Sequence, residues 1–344
     1  MTHETAAGPL HGRYDVALLD LDGVVYIGGK AVPGAPEALR ALAADGMRLA
    51  YVTNNAYRTP AAVAALLNHL GAPARASDVV TSAQAAARLL ADKLPAGAKV
   101  LVIGGTGLRL AIRERGLVPV SVATERPQAV VEGYAPGVNY DALAEGGLAV
   151  AAGAMFVGTN ADSTLPGPRG RQPGNGSMLR VIRHATGAEP VIAGKPEPPL
   201  HRESVLRTGA RHPLVVGDRL DTDIEGAHRV GADSLLVLTG VTRPADLVVA
   251  PPEHRPTYVT AGLQGLLEPY RAAEPADGGF RCAGWVATAA ANAATAGSAL
   301  SLEGTGDPVA GLRALCAAAW TADHLTQEAA REPLSRLAEA GLKL

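Results

Sequence analysis

The sequence predicts an α/β chain built on a mainly parallel sheet. Short runs rich in Val, Leu and Ile recur at 16–21, 49–52, 100–103, 129–131, 155–157, 214–216 and 235–238, with helical patterns between them. Several runs are continuously apolar rather than alternating, as strands covered on both faces must be. The helical stretches carry their own punctuation. Residues 38–45 close at Gly46 and residues 106–115 at Gly116, each a glycine C-cap. Ser177 is expected to cap a helix over 178–186 that ends at Gly187. Early prolines open 196–207, which stops before Gly209.

Composition narrows the field. With 344 residues there is room for about two domains. A net charge of −2 and only 3% aromatic residues argue against a basic or base-stacking surface, so nucleic acid is not an expected partner. No basic flank precedes an apolar run at the N-terminus, so no secretory signal is expected. Residues 282–302 carry no charge, but are mostly Ala, Thr, Gly and Asn, too weakly apolar for a membrane span. Two cysteines, Cys282 and Cys316, make no disulfide framework, and a cytoplasmic setting fits them. The string EPADGG around Pro275 reads as a linker, with both Trp and both Cys beyond it, so residues 276–344 are expected to be a separate small appendage. Its pattern is strand then helix: 281–286, 300–303 and 308–322.

Chemistry concentrates at four places. The run YDVALLDLDGVVY leads a strand straight into Asp20-Leu21-Asp22-Gly23. Two carboxylates one residue apart at a strand's C-terminal end lie where open α/β sheets place active sites. One can attack an electrophile or hold a cation, and the other can exchange a proton. Gly23 lets the chain turn tightly and leaves its N–H open to a ligand. A calcium loop is the alternative, but Val24, Val25 and Tyr26 supply none of its ligands. Strand 49–52 ends in Thr53-Asn54-Asn55, a hydroxyl and amides suited to phosphate oxygens. Lys195 stands between Gly194 and Pro196, and strand 214–216 runs into Gly217-Asp218-Arg219-Leu220-Asp221-Thr222-Asp223, an oxygen-rich string suited to Mg²⁺. Each of the last three has a bland reading as a cap, a turn or a solvated charge.

The order of the four resembles the motifs of the haloacid dehalogenase (HAD) superfamily. More narrowly it is similar to the nitrophenyl-phosphatase, NagD-like and phosphoglycolate/pyridoxal phosphatase branch, over about residues 14–270. The resemblance implies a Rossmann-like core over 14–83 and 191–270, with an inserted α/β cap over 84–190 that reads the leaving group. It implies that Asp20 is the nucleophile and Asp22 the general acid and base. Gly23, Thr53, Asn54 and Lys195 would bind the phosphoryl group. Mg²⁺ would be held by Asp20, the Asp22 carbonyl and Asp218, with Asp223 behind them and Asp221 a weaker candidate. An acid at position 22 separates phosphatases and mutases from the superfamily's dehalogenases and ion pumps. The interval between Tyr26 and Thr53 holds one crossover helix and no cap, unlike most phosphomutases of the superfamily.

Within the expected cap, Val100–Leu110 superficially suggests a dinucleotide loop, but Leu110 stands where the third glycine should be. Asn160 and Asp162 resemble the family's substrate-facing loop, and Leu165 stands where pyridoxal phosphatases tend to have His. The expected partner is therefore a small phosphorylated metabolite, glycerol 3-phosphate ahead of phosphoglycolate or a broad range of sugar and nucleotide phosphates. Membrane binding is not expected, and a homo-oligomer is left open. The tail is similar to an extension carried by some actinobacterial glycerol-phosphate phosphatases and likened to part of an acyltransferase fold. It lacks the pyrophosphate loop of such enzymes, so no acetyl transfer is expected; a regulatory or partner-binding module is the competing reading.

Overall fold

A computed structural model describes residues 8–167, 169–292, 297–322 and 325–343. The chain divides into two compact units, residues 1–49 with 212–344, and residues 50–211.

In the first unit, four parallel strands lie in the order Tyr258–Thr260, Asp233–Val237, Pro213–Gly217, Val16–Leu19. Val16 is opposite Pro213, Leu214 opposite Asp233 and Leu235 opposite Tyr258. Every residue of Val16–Leu19 is buried, which is why that run is apolar without alternation. The strand stops at Leu19, earlier than the apolar run suggests. Asp20 N still donates to Val216 O at 2.8 Å, and the chain then breaks into the turn that carries Asp22 and Gly23.

The tail has its own four-stranded antiparallel sheet, Glu274–Ala276, Gly279–Cys282, Trp285–Asn292 and Gly297–Gly304, followed by helices Pro308–Ala319 and Arg331–Glu339. One expectation is corrected here. The EPADGG string is a hairpin: Ala276 pairs with Gly279 across Asp277-Gly278, the latter at φ +75°. The tail helices pack within the first unit, where Leu312, Leu315, Leu334 and Leu337 share one apolar core with Leu220, Ile224, Leu236, Leu247 and Val259. Cys282 and Cys316 are free thiols buried in that same core, and burial pushes both above the ordinary thiol range. The uncharged stretch from Cys282 falls mainly on the two long strands, and no helix among the described residues is long and apolar enough to cross a membrane.

The second unit contains the parallel pairing of Arg48–Thr53 with Val79–Thr81 and a five-stranded parallel sheet. That sheet runs Val191–Ile192, Met155–Gly158, Ala129–Glu132, Lys99–Ile103, Val118–Val120. Leu101, Ile103, Val130 and Phe156 of this sheet pack on Leu143 and Val150 of helix Tyr140–Ala151 and on Leu179 and Ile182 of helix Asn175–Thr186. The last helix begins at Asn175 after Gly174, so Ser177 lies inside its first turn. The Ser177 hydroxyl donates to Ser163 O at 2.7 Å instead of capping.

Two buried carboxylates in this unit are invisible to patterning. Glu203, fully buried on helix Pro198–Thr208, accepts from Arg88, from Arg115 at 2.7 Å and from Arg207 at 2.6 Å. One carboxylate thus holds arginines from three separate helical segments. The substitution Glu203→Gln is expected to lower unfolding free energy by about 3 kcal/mol, because it leaves three partly buried cations without their counter-charge. Urea unfolding checks this.

Glu132 ends strand Ala129–Glu132 at 1% exposure, and neither carboxylate oxygen has a hydrogen-bond partner among the described residues. Burial pushes its pKa from 4.5 up to about 8. Between those values the folded chain holds a proton that the unfolded chain has lost, so this group's contribution to stability falls as pH rises across that window and is level above it. Glu132→Gln should flatten that slope: the variant gains on the parent between pH 5 and 8, read as the melting-temperature difference at each pH.

Candidate active site

Adjacent parallel strands deliver two acids to one edge of the first unit. Asp20 follows Val16–Leu19 directly, and Asp218 follows Pro213–Gly217. A helical turn at Leu220–Ile224 brings Asp223 back to them, and carboxylate oxygens of Asp20, Asp218 and Asp223 lie within 4.8 Å of one another. Asp218 and Asp223 are each 1% exposed, while Asp20 is half-buried and Asp22 exposed.

Main-chain donors fix the acids. Val241 N donates to Asp218 Oδ2 at 2.6 Å and Arg219 N to Asp223 Oδ2 at 3.2 Å. Gly23 stands at φ +85°, with its N–H given to Tyr26 O at 2.8 Å, and a Cβ there would lie 2.4 Å from Asp218 Oδ2. Its place in the motif is therefore conformational and steric. The sequence expectation that its N–H would meet a phosphate is not met, since the turn takes that hydrogen.

Asp221 stands apart from the cluster. Its carboxylate is gripped by Arg219 Nε at 3.0 Å and Nη2 at 2.7 Å. Burial works to raise its pKa, but the Arg219 hydrogen bonds and charge bring it below the ordinary range. The donor set of Asp20, Asp218 and Asp223 is all oxygen and all acidic, which suits a small hard cation such as Mg²⁺.

Thr53, Asn54 and Lys195 lie in the second unit, with Asn160, Asp162 and Leu165. Thr53 ends its strand at 4% exposure, and its Oγ1 accepts from Asn55 N at 3.1 Å, leaving the hydroxyl hydrogen to donate. Lys195 is also 4% exposed, and its Nζ donates to Val52 O at 3.4 Å. Asn54 departs from expectation. Its Oδ1 accepts from Lys195 N at 2.8 Å, while Nδ2 donates to Lys195 O at 3.2 Å and to Asp162 Oδ2 at 3.3 Å. The side chain thus clamps the lysine loop, and only the main-chain N–H of Asn54 remains to offer a phosphoryl oxygen.

Asn160 is turned inward too. It donates Nδ2 to Asn54 O at 2.9 Å, and Oδ1 accepts from Asp162 N at 3.2 Å. This amide supports the Asn54 loop and is not aimed at a substrate hydroxyl. Leu165, half-buried, sits on the hairpin strand Thr164–Gly167 opposite Gln172. Sequence reasoning missed residues 239–242. A main-chain donor such as Val241 N has no residue signature, and only the Thr-Gly after a strand hints at a turn.

Comparisons agree with this geometry. The haloacid dehalogenase-like hydrolase family matches residues 17–118, a HAD-hydrolase-like family matches 192–266, and a GCN5-related N-acetyltransferase like domain matches 282–342. The D-glycerol 3-phosphate phosphatase of Mycobacterium tuberculosis is 45% identical over 313 residues, 90% of this chain and 87% of that protein. The acid sugar phosphatase of Staphylococcus saprophyticus is 37% identical over 74% of this chain and 98% of its own. Among solved structures, the M. tuberculosis glycerol phosphate phosphatase in complex with magnesium matches with a TM-score of 0.86 at 41% identity, covering 96% of this chain and 99% of that one. The 4-nitrophenylphosphatase of Thermotoga maritima matches at 0.69 and 28% identity, covering 75% and 98%. With two acids set by one strand, a third and fourth by its neighbour, and relatives of this kind along nearly its whole length, the chain belongs to the haloacid dehalogenase-like hydrolases, in their phosphatase branch of nitrophenyl-phosphatase and NagD type.

Proposed function

We propose that this phosphoric monoester hydrolase is Mg²⁺-dependent and acts on a small ester, glycerol 3-phosphate foremost. The observation that carries the reading is the convergence of Asp20, Asp218 and Asp223, with Asp22 two residues from the first. Similarity to the D-glycerol 3-phosphate phosphatase over 90% of the chain supports the substrate. Asp20 Oδ attacks phosphorus, and the bond to the ester oxygen breaks as an aspartyl-phosphate forms. Asp22 gives its proton to the departing alkoxide. It then takes one from the water that attacks the aspartyl-phosphate, releasing phosphate and restoring Asp20. Asp22 suits both tasks because it is exposed beside the buried acids.

Asp20, Asp218 and the Asp22 carbonyl would hold Mg²⁺, with Asp223 behind them, and the ion would supply positive charge to offset repulsion between carboxylate and phosphate. Thr53 Oγ1, the Asn54 N–H and Lys195 Nζ are assigned to the phosphoryl oxygens, where they stabilise charge in the transition state. Residues 84–190 are assigned as the specificity cap. Within it Asp162 is the acceptor for a substrate hydroxyl and disfavours a nearby substrate carboxylate, and Leu165 offers no imidazole to a pyridine ring. A second reading, a broader sugar phosphate range, draws support from the acid sugar phosphatases at 37–38% identity.

Purified, folded Asp20→Asn protein should release no measurable phosphate, since an amide is neither nucleophile nor anionic ligand. Turnover by that variant rules out the covalent route. The parent should lose activity in EDTA and regain it with Mg²⁺ but not with Ca²⁺, whose looser, often bidentate coordination occupies both oxygens of an attacking carboxylate. For specificity, kcat/KM is expected to fall from glycerol 3-phosphate to phosphoglycolate and much further to pyridoxal phosphate. Pyridoxal phosphate leading that series overturns the assignment of Leu165.

A further inference from the structure

The tail reaches the acidic cluster through one short helix. Residues 239–242 lie flat against Asp218: Val241 N donates to its Oδ2 at 2.6 Å, and Thr242 N donates to its main-chain O at 3.1 Å. A Cβ on Gly240 would stand only 1.9 Å from Asp218 Oδ2. In the same loop Thr239 Oγ1 donates to Gly23 O at 2.5 Å. The loop leads into helix Pro244–Val248, and the tail holds that helix from behind.

Trp320 Nε1 donates to Leu247 O at 3.3 Å, and Gln327 Nε2 donates to Asp246 Oδ1 at 3.0 Å. Arg255 ties the indole down, donating Nη1 to Trp320 O at 3.2 Å with its guanidinium 5.5 Å from the ring centroid. Leu247 and Val248 are sealed into the apolar core that the tail helices share with Leu220 and Ile224, and the latter directly follows Asp223.

We propose that the C-terminal segment is a positioning brace for the metal site. By gripping helix Pro244–Val248 it fixes the 239–242 loop, and that loop aims the Asp218 carboxylate. The inference rests on Asp218 being a Mg²⁺ ligand. It gives the tail a task that needs no acyl chemistry and no partner. Two hydrogen bonds from the tail end on the helix, and one from the loop ends on the ligand oxygen. Loosening the first pair lets Asp218 sample orientations that bind the cation less well, so part of the binding energy goes to re-ordering the loop.

The test is Mg²⁺ binding by calorimetry on the full chain without substrate, well below the melting temperature. The variants are Gln327→Ala, Trp320→Phe, which removes the indole N–H, and the pair together. The expected result is a Mg²⁺ affinity about three- to tenfold weaker in each single variant and weaker still in the double, in keeping with one lost hydrogen bond apiece. In turnover, the Mg²⁺ concentration for half-maximal rate should rise while KM for the ester at saturating Mg²⁺ stays put. Folded variants with a lower melting temperature but Mg²⁺ affinity within twofold of the parent overturn the brace. Asp218→Asn separates the two readings. If it leaves Mg²⁺ binding intact, the ligand assignment fails; if it abolishes binding while the tail variants do not weaken it, only the brace fails.

Discussion

Like charges held close together are the constraint on which the first unit depends. Three carboxylates with oxygens within 4.8 Å of one another, two of them almost wholly buried, repel strongly in a medium that screens poorly. The fold meets that cost with main-chain N–H groups from Arg219 and Val241, and with a backbone stripped of side chains around the cluster. Gly23, Gly217 and Gly240 each lie so near Asp218 or Asp223 that a methyl group would overlap the carboxylate. A small cation is the natural completion of such an arrangement, and the parallel strands exist in this order to bring the acids to one edge.

The second unit solves a different problem, holding a buried lysine and a threonine in fixed positions. Asn54 does this with both ends of one amide, reading the N–H and the C=O of Lys195 as a base pair would. Asn160 braces Asn54 through its carbonyl, and Asn175 donates to Asn160 O at 2.8 Å. Three asparagines in series therefore connect the start of helix Asn175–Thr186 to the loop beside Thr53. Glu203 and its arginines do comparable work on the helices of the same unit.

The strand Val16–Leu19 and the acids that follow it were legible because an uninterrupted apolar run ending in Asp-x-Asp-Gly has few physical explanations. The same holds for Pro213–Gly217 and its acidic turn. Amide direction was not legible: Asn54 and Asn160 look like ligands in sequence, and only the fold shows their polar atoms taken by neighbours. Glu132 and Glu203 escaped because a single glutamate at a strand end or on a helix ordinarily reads as solvated. The tail helices announced apolar faces through Leu312, Leu315, Leu334 and Leu337. Their pattern says nothing of what they face, so the core they share with the parallel sheet was not legible. The Asp277-Gly278 turn was misread as a linker because the strands around it are short and weakly apolar.

The two cysteines bear on how the molecule can be handled. Both residues are buried in the core that joins tail to sheet, and burial shifts both thiols upward, which disfavours the thiolate. A nucleophilic thiolate is therefore disfavoured at both positions, and thiol-directed reagents such as maleimides find little to react with on the folded chain. A single cysteine introduced at an exposed site becomes the sole address for a spectroscopic probe, with no need to remove the native pair first.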